Sequence, residues 1–140
     1  MAQGITDFGA GVILPFPQLS TAALSSSAAS AGQLSGAGVV IMNNSGSTPG
    51  TYTTRTAAQM VADSNLKAGQ VYIVVLVNGQ GTGTLTLGAG SGVTISGTAT
   101  VATITARIFT VTVNNATLGS EAITFTSIGS FTATALAFGA

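Results

Sequence analysis

The stretch Thr84-Leu-Thr-Leu-Gly-Ala-Gly-Ser-Gly-Val-Thr-Ile-Ser-Gly97 decides the fold class. Leu85 and Leu87 alternate with threonine, then Val93 and Ile95 alternate with threonine and serine. A period of two places the apolar side chains on one face of a strand, and the glycines between the two runs mark a turn. The same alternation recurs at Ile108 or Phe109/Val111/Val113 and at Ile123/Phe125, with turn signals at Asn78-Gly79, Gly88–Gly92, Gly97, Asn114-Asn115 and Gly119. Asn-Gly after an apolar run is a strong hairpin signal. Val71-Tyr-Ile-Val-Val-Leu-Val77 is apolar throughout, as in a strand buried on both faces.

Working outward, strands are expected at 39–42, 71–77, 83–87, 92–96, 100–104, 107–113, 121–126 and 130–137. One short helix is expected over 56–63, where Ala57, Met60 and Val61 share a face and Thr54 or Thr56 is placed to cap it. The expected fold is mainly β: an antiparallel β-sandwich or barrel, jelly-roll-like, with one short helix and an extended N-terminal arm. The division is 1–38 for the arm and 39–140 for the β-sandwich domain. Pro15 and Pro17 disfavour helix around Phe16, and the run TAALSSSAASAGQLSGAG follows. The arm is either a flexible Ser/Ala/Gly segment or an extended anchor. Phe8, Ile13, Leu14, Phe16 and Leu19 favour docking, because five large apolar side chains are costly to leave in water.

Charged residues make up 4% of the 140 residues, against roughly 25% in an ordinary domain. They are Asp7, Arg55, Asp63, Lys67, Arg107 and Glu121, and the net charge is zero. Three scattered basic residues do not make a nucleic-acid surface. No apolar run approaches the ~20 residues of a membrane helix, so no membrane partner is expected. The first twenty residues lack the basic and long apolar regions of an export signal, which points to synthesis in the cytoplasm. A strand surface of threonine without Lys or Glu leaves few charged residues to guard sheet edges; burial between subunits would cover those edges.

The catalytic inventory is thin. With no His and no Cys, Ser–His and Cys–His pairs are excluded, and nothing brings Asp7, Asp63 or Glu121 together for acid–base work. The G-x-G-x-G stretches at Gly79–Gly83 and Gly88–Gly92 lack a following helix and a P-loop lysine, so they read as hairpin loops and not phosphate cradles. No metal or other cofactor, and no enzyme activity, is expected. Arg55 and Arg107 are candidate ion-pair partners for Asp63 or Glu121, fixing register at an interface.

Three segments carry a resemblance: Gly69 to Asn78, Thr84 to Gly97, and Arg107 to Asn114, preceded by the short helix. Over residues 50–129 the chain resembles domains of tailed-bacteriophage virion proteins, among them capsid decoration (cement) proteins and head- or tail-fibre proteins. The resemblance implies an all-β, trimeric virion component that binds the major capsid protein and itself. It also implies that the arm grips the capsid lattice, so that removing residues 1–20 weakens capsid binding. Cement function suits a short chain without heptads or long fibre repeats. The alternative is a tail-fibre or adaptor module that recognises host-surface glycan, which calls for exposed aromatic rings.

Overall fold

The computed structural model describes residues 18–23, 27–43, 50–79 and 83–132. Ten strands and one helix follow in order: β1 (Gln18–Ala23), β2 (Ser27–Ala28), β3 (Gly38–Asn43), β4 (Gly50–Thr53), α1 (Ala57–Ser64), β5 (Val71–Asn78), β6 (Leu85–Gly88), β7 (Val93–Ser96), β8 (Thr100–Val101), β9 (Thr105–Asn115) and β10 (Ala122–Thr132). The mainly-β fold with one short helix is as expected.

The strands form a six-stranded sheet in the order β1-β3-β5-β9-β10-β7 and a four-stranded sheet in the order β2-β4-β6-β8. The expectation of antiparallel sheets is corrected: both are mixed. β1 runs parallel to β3, β3 to β5, β10 to β7, β2 to β4 and β4 to β6. Among the described residues, antiparallel pairing is confined to β5–β9, β9–β10 and β6–β8.

The cause lies in the path of the chain. From β1 to β9 each successive strand changes sheet, so odd-numbered strands fall in one sheet and even-numbered strands in the other. A chain that leaves a sheet and returns to it after an excursion can re-enter in its original direction, which is the condition for parallel pairing. The glycine-rich turns therefore connect strands of different sheets. Gly88–Gly92 carries the chain from β6 to β7, and Asn78-Gly79 ends β5 before the crossing to β6. Neither makes the hairpin expected of it. The β9–β10 connection is a hairpin between neighbours, closed by the Ser120 N–H donating to the Thr117 carbonyl at 2.9 Å.

Asn78 is buried because its side chain ties the crossing together. Its Nδ2 donates to the carbonyls of Gly83 at 2.9 Å and Val101 at 3.1 Å. The strand expected at 100–104 stops at Val101. Ile104 lies at φ 52°, and Thr105 closes the turn on the Ala102 carbonyl through its N–H and its hydroxyl. The strands expected at 121–126 and 130–137 join in β10, with a register shift between Ser127 and Gly129. Residues 133–137 lie outside the described set.

Alternation supplies the core. One hydrophobic cluster draws Val74, Leu76, Phe109, Val111, Val113, Ile123 and Phe125 from the larger sheet, and Tyr52, Leu85, Leu87 and Val101 from the smaller. α1 adds Ala57 and Met60. Phe109 and Phe125 meet edge to face at 6.2 Å between ring centroids, a favoured aromatic geometry.

The helix starts at a capping box, with Thr56 as the cap. The Gln59 N–H donates to Thr56 Oγ1 at 3.2 Å, and the Thr56 N–H donates to Gln59 Oε1 at 3.1 Å. It ends at Asn65, in the left-handed region at φ 50°. Replacing Thr56 with alanine removes an acceptor for an otherwise orphaned helical N–H, and stability measured by urea unfolding is expected to fall by about 1 kcal/mol.

The 1–38 segment contributes two edge strands. β1 borders the larger sheet and β2 the smaller. Between β2 and β3 the chain turns inward, burying Ala29, Leu34 and Ser35. Two tyrosines from different sheets hold this turn. The Tyr52 hydroxyl donates to Gln33 Oε1 at 2.6 Å, and the Tyr72 hydroxyl donates to the Leu34 carbonyl at 2.7 Å.

Candidate interaction surface

Five of the six charged residues lie among the described residues; Asp7 lies outside them. Arg55 and Asp63 are brought together: Nε stands 2.7 Å from Oδ2, off hydrogen-bond alignment, while Nη2 donates to Oδ1 at 3.2 Å. Asp63 Oδ2 also accepts from the Gly32 N–H at 3.2 Å. This pair joins the start and end of α1 to Gly32 in the turn between β2 and β3, a structural role inside one chain. Among the described residues, Arg107 meets no carboxylate. Its Nε donates to the Thr100 carbonyl at 2.7 Å and its Nη1 to Ser127 Oγ at 3.0 Å, linking β8, β9 and β10. Glu121 Oε2 accepts from the Gly119 N–H at 2.9 Å in the hairpin turn. Lys67 Nζ donates to Asn65 Oδ1 at 2.9 Å beyond the helix end.

Phe8, Ile13, Leu14 and Phe16 lie outside the described residues. Leu19 lies in β1, in register with Val39 of β3. The Gly88–Gly92 stretch is a packed crossing. Gly90 N–H donates to Thr54 Oγ1 at 2.9 Å, Thr54 N–H to the Gly88 carbonyl at 2.9 Å, and Ala57 N–H to the Ser91 carbonyl at 2.8 Å. The Gly90 N–H and the Gly88 and Ser91 carbonyls are thus spent on the neighbouring strand and on the helix entrance.

Among the described residues no group of three or more His, Cys, Asp or Glu is placed to hold a metal ion. Among them, too, no helix is long and apolar enough to cross a membrane.

Burial pushes the phenols of Tyr52 and Tyr72 well above their usual range, because a phenolate there would lose its hydration. A folded-state pKa raised above the unfolded value means the contribution is whole below about pH 10 and is lost as pH rises past it. The Tm is expected to fall above about pH 10, and a Tyr52→Phe, Tyr72→Phe double variant is expected to show a shallower fall. Parallel alkaline curves for the two proteins would contradict this.

The surface with the most distinctive chemistry is the outer face of the larger sheet. Register fixes its membership. Thr94 of β7, Thr124 of β10 and Thr112 of β9 align in one row, which continues to Val71 of β5. Ser96, Thr126 and Thr110 form the next row, which continues to Ile73. The face thus grades from hydroxyls at β7 to aliphatic side chains at β5. Val71 is 62% exposed and Ile73 48%, so their apolar surface stands in water in the isolated chain. Thr124 Oγ1 is fixed by Asn114 Nδ2 at 2.6 Å. No Asp, Glu, Lys or Arg occupies these rows. The sequence announced the threonines and the missing charge. It did not announce that the threonines of three strands align, because that depends on the parallel β7–β10 register.

No family model, no curated protein and no solved structure matches the chain.

Proposed function

We propose that this chain is a non-enzymatic capsid decoration protein. It binds the outer surface of a phage capsid and stabilises it by bridging major capsid proteins, as a homotrimer. The observation that carries the reading is the uncharged outer face of the six-stranded sheet, graded from threonine to exposed valine and isoleucine. Such a face suits burial against protein, since its hydroxyls can find partners and no charge must be desolvated. The resemblance over residues 50–129 to phage virion domains supports the same reading. The mechanism is shared area: many identical junctions on one shell, each modest, act together through avidity. On this account the protein resides on the virion and is made in the host cytoplasm.

The glycan-recognition alternative draws less support. Tyr52, Phe109 and Phe125 are wholly buried, and the Tyr72 hydroxyl is engaged by Leu34, so these rings offer no open stacking platform. The test is co-sedimentation with capsids that lack the protein. Because β1 begins at Gln18, the informative truncation removes residues 1–17 and spares the edge strand. Full-length protein is expected to pellet with capsids, and the truncated protein to pellet much less while keeping its β circular dichroism. Equal pelleting by both would refute the arm's role. Failure of the full-length chain to bind any capsid would refute the cement reading.

A further inference from the structure

We propose that Asn78-Gly79 is a deamidation site that the fold holds closed, so that time spent unfolded marks the chain chemically and the mark bars its return to the native state. The site lies where β5 ends and the chain crosses to the smaller sheet. Its chemistry stands apart from capsid binding.

Of the six asparagines, at 43, 44, 65, 78, 114 and 115, Asn78 alone precedes a glycine. Glycine leaves its backbone nitrogen unshielded by a side chain and free in φ and ψ, which favours attack on the preceding side chain. The Gly79 N–H loses its proton to base, and the Gly79 nitrogen bonds to Asn78 Cγ. The bond from Cγ to Nδ2 breaks, and Nδ2 leaves as ammonia. Water then adds to one of the two ring carbonyls and opens the cyclic imide, giving aspartate or isoaspartate.

The folded chain blocks the first step. Asn78 ends β5 with Met42 of β3 on one side and Thr105 of β9 on the other. Those ladders hold its backbone extended. Its side chain is wholly buried, and Nδ2 donates to the carbonyls of Gly83 at 2.9 Å and Val101 at 3.1 Å. Ring closure brings Cγ onto the Gly79 nitrogen, which breaks both hydrogen bonds and takes Asn78 out of the strand. Gly79 itself is exposed, so protection comes from the anchoring of Asn78 and not from cover over the nucleophile.

The products do not fit the place that the amide held. A carboxylate has no N–H to give, and at this position it faces the Gly83 and Val101 carbonyl oxygens while buried and charged. Isoaspartate also adds a methylene to the backbone, which shifts the end of β5 out of register with Met42 and Thr105. Unfolding followed by conversion is therefore a one-way exit.

The experiment incubates the full chain at mildly alkaline pH, in native buffer and in urea, and follows each asparagine by peptide mass spectrometry. In urea, position 78 is expected to convert faster than the other asparagines. In native buffer its rate is expected to fall by about a hundredfold or more, since reaction then waits on an opening that few molecules visit. Gly79→Ala, measured in urea where folding plays no part, is expected to slow the conversion severalfold. Chain converted in urea is expected to lack the wild-type melting transition after dilution, whereas chain kept for the same time in urea at mildly acidic pH regains it. Asn78→Asp is expected to share the defect. Equal rates at position 78 in native buffer and in urea would overturn the closed site. Converted chain, or folded Asn78→Asp, that melts like wild type would overturn the one-way exit. The rate comparison needs no refolding, so it decides the first point even where the aspartate variant does not fold.

Discussion

Replacing Phe125 with alanine is expected to lower the unfolding free energy by about 3–5 kcal/mol. Phe125 is wholly buried and sits edge to face against Phe109 in the single cluster fed by both sheets. Its strand lies between β9 and β7, so the space left by the ring is framed by hydrogen-bonded backbone on both sides and collapses poorly. Lost transfer energy and residual cavity therefore add. Urea unfolding at one fixed protein concentration measures the change, since assembly shifts apparent stability by mass action. A loss below 1 kcal/mol would mean that the site relaxes and that the two sheets do not share one close-packed core.

Gly90→Ala is the second large effect, with an expected loss of about 3 kcal/mol. A Cβ at residue 90 would lie 2.5 Å from the Arg55 carbonyl oxygen, 2.7 Å from the Thr54 carbonyl oxygen and 2.8 Å from the Arg55 carbonyl carbon. These are backbone atoms, which cannot swing aside as a side chain would. Moving them disturbs the Gly90–Thr54 hydrogen bond, the Thr54–Gly88 hydrogen bond and the entrance to α1, where Ala57 donates to Ser91. Gly36→Ala is the control: its Cβ would meet nothing within 4 Å, and a change within about 0.5–1 kcal/mol is expected. Equal effects at the two glycines would show that Gly90 is an ordinary loop residue. That result would also remove the packed crossing between β6 and β7.

Strand positions were legible because period-two alternation is a local property. Leu85/Leu87, Val93/Ile95 and Val111/Val113 all fall on strands, and the buried members are those the alternation selects. The helix was legible for the same reason: Ala57, Met60 and Val61 share one face and Thr54 or Thr56 stood ready to cap it, and the cap is Thr56. Partnership between strands was not legible. Alternation states which face is apolar but not which strand lies beside it, and turn residues state where the chain bends but not into which sheet it goes. Asn78-Gly79 and Gly88–Gly92 carry hairpin chemistry, yet both link different sheets.

The pairing of Arg55 with Asp63 was among the readable options because Arg55 precedes one short helix and Asp63 lies in its last turn. Arg107 and Glu121 were offered on charge alone, and they instead bond to a carbonyl, a serine and a turn N–H. The inward turn around Leu34 was hidden in a serine- and alanine-rich run. Its partners Tyr52 and Tyr72 lie far along the chain, beyond the reach of any local pattern.

Electron cryo-microscopy of the intact virion that carries this chain tests the central claim most directly. The account predicts density for this fold in regular multimers on the icosahedral shell, touching the major capsid protein. Density confined to the tail or its fibres would contradict it and make host recognition the leading account.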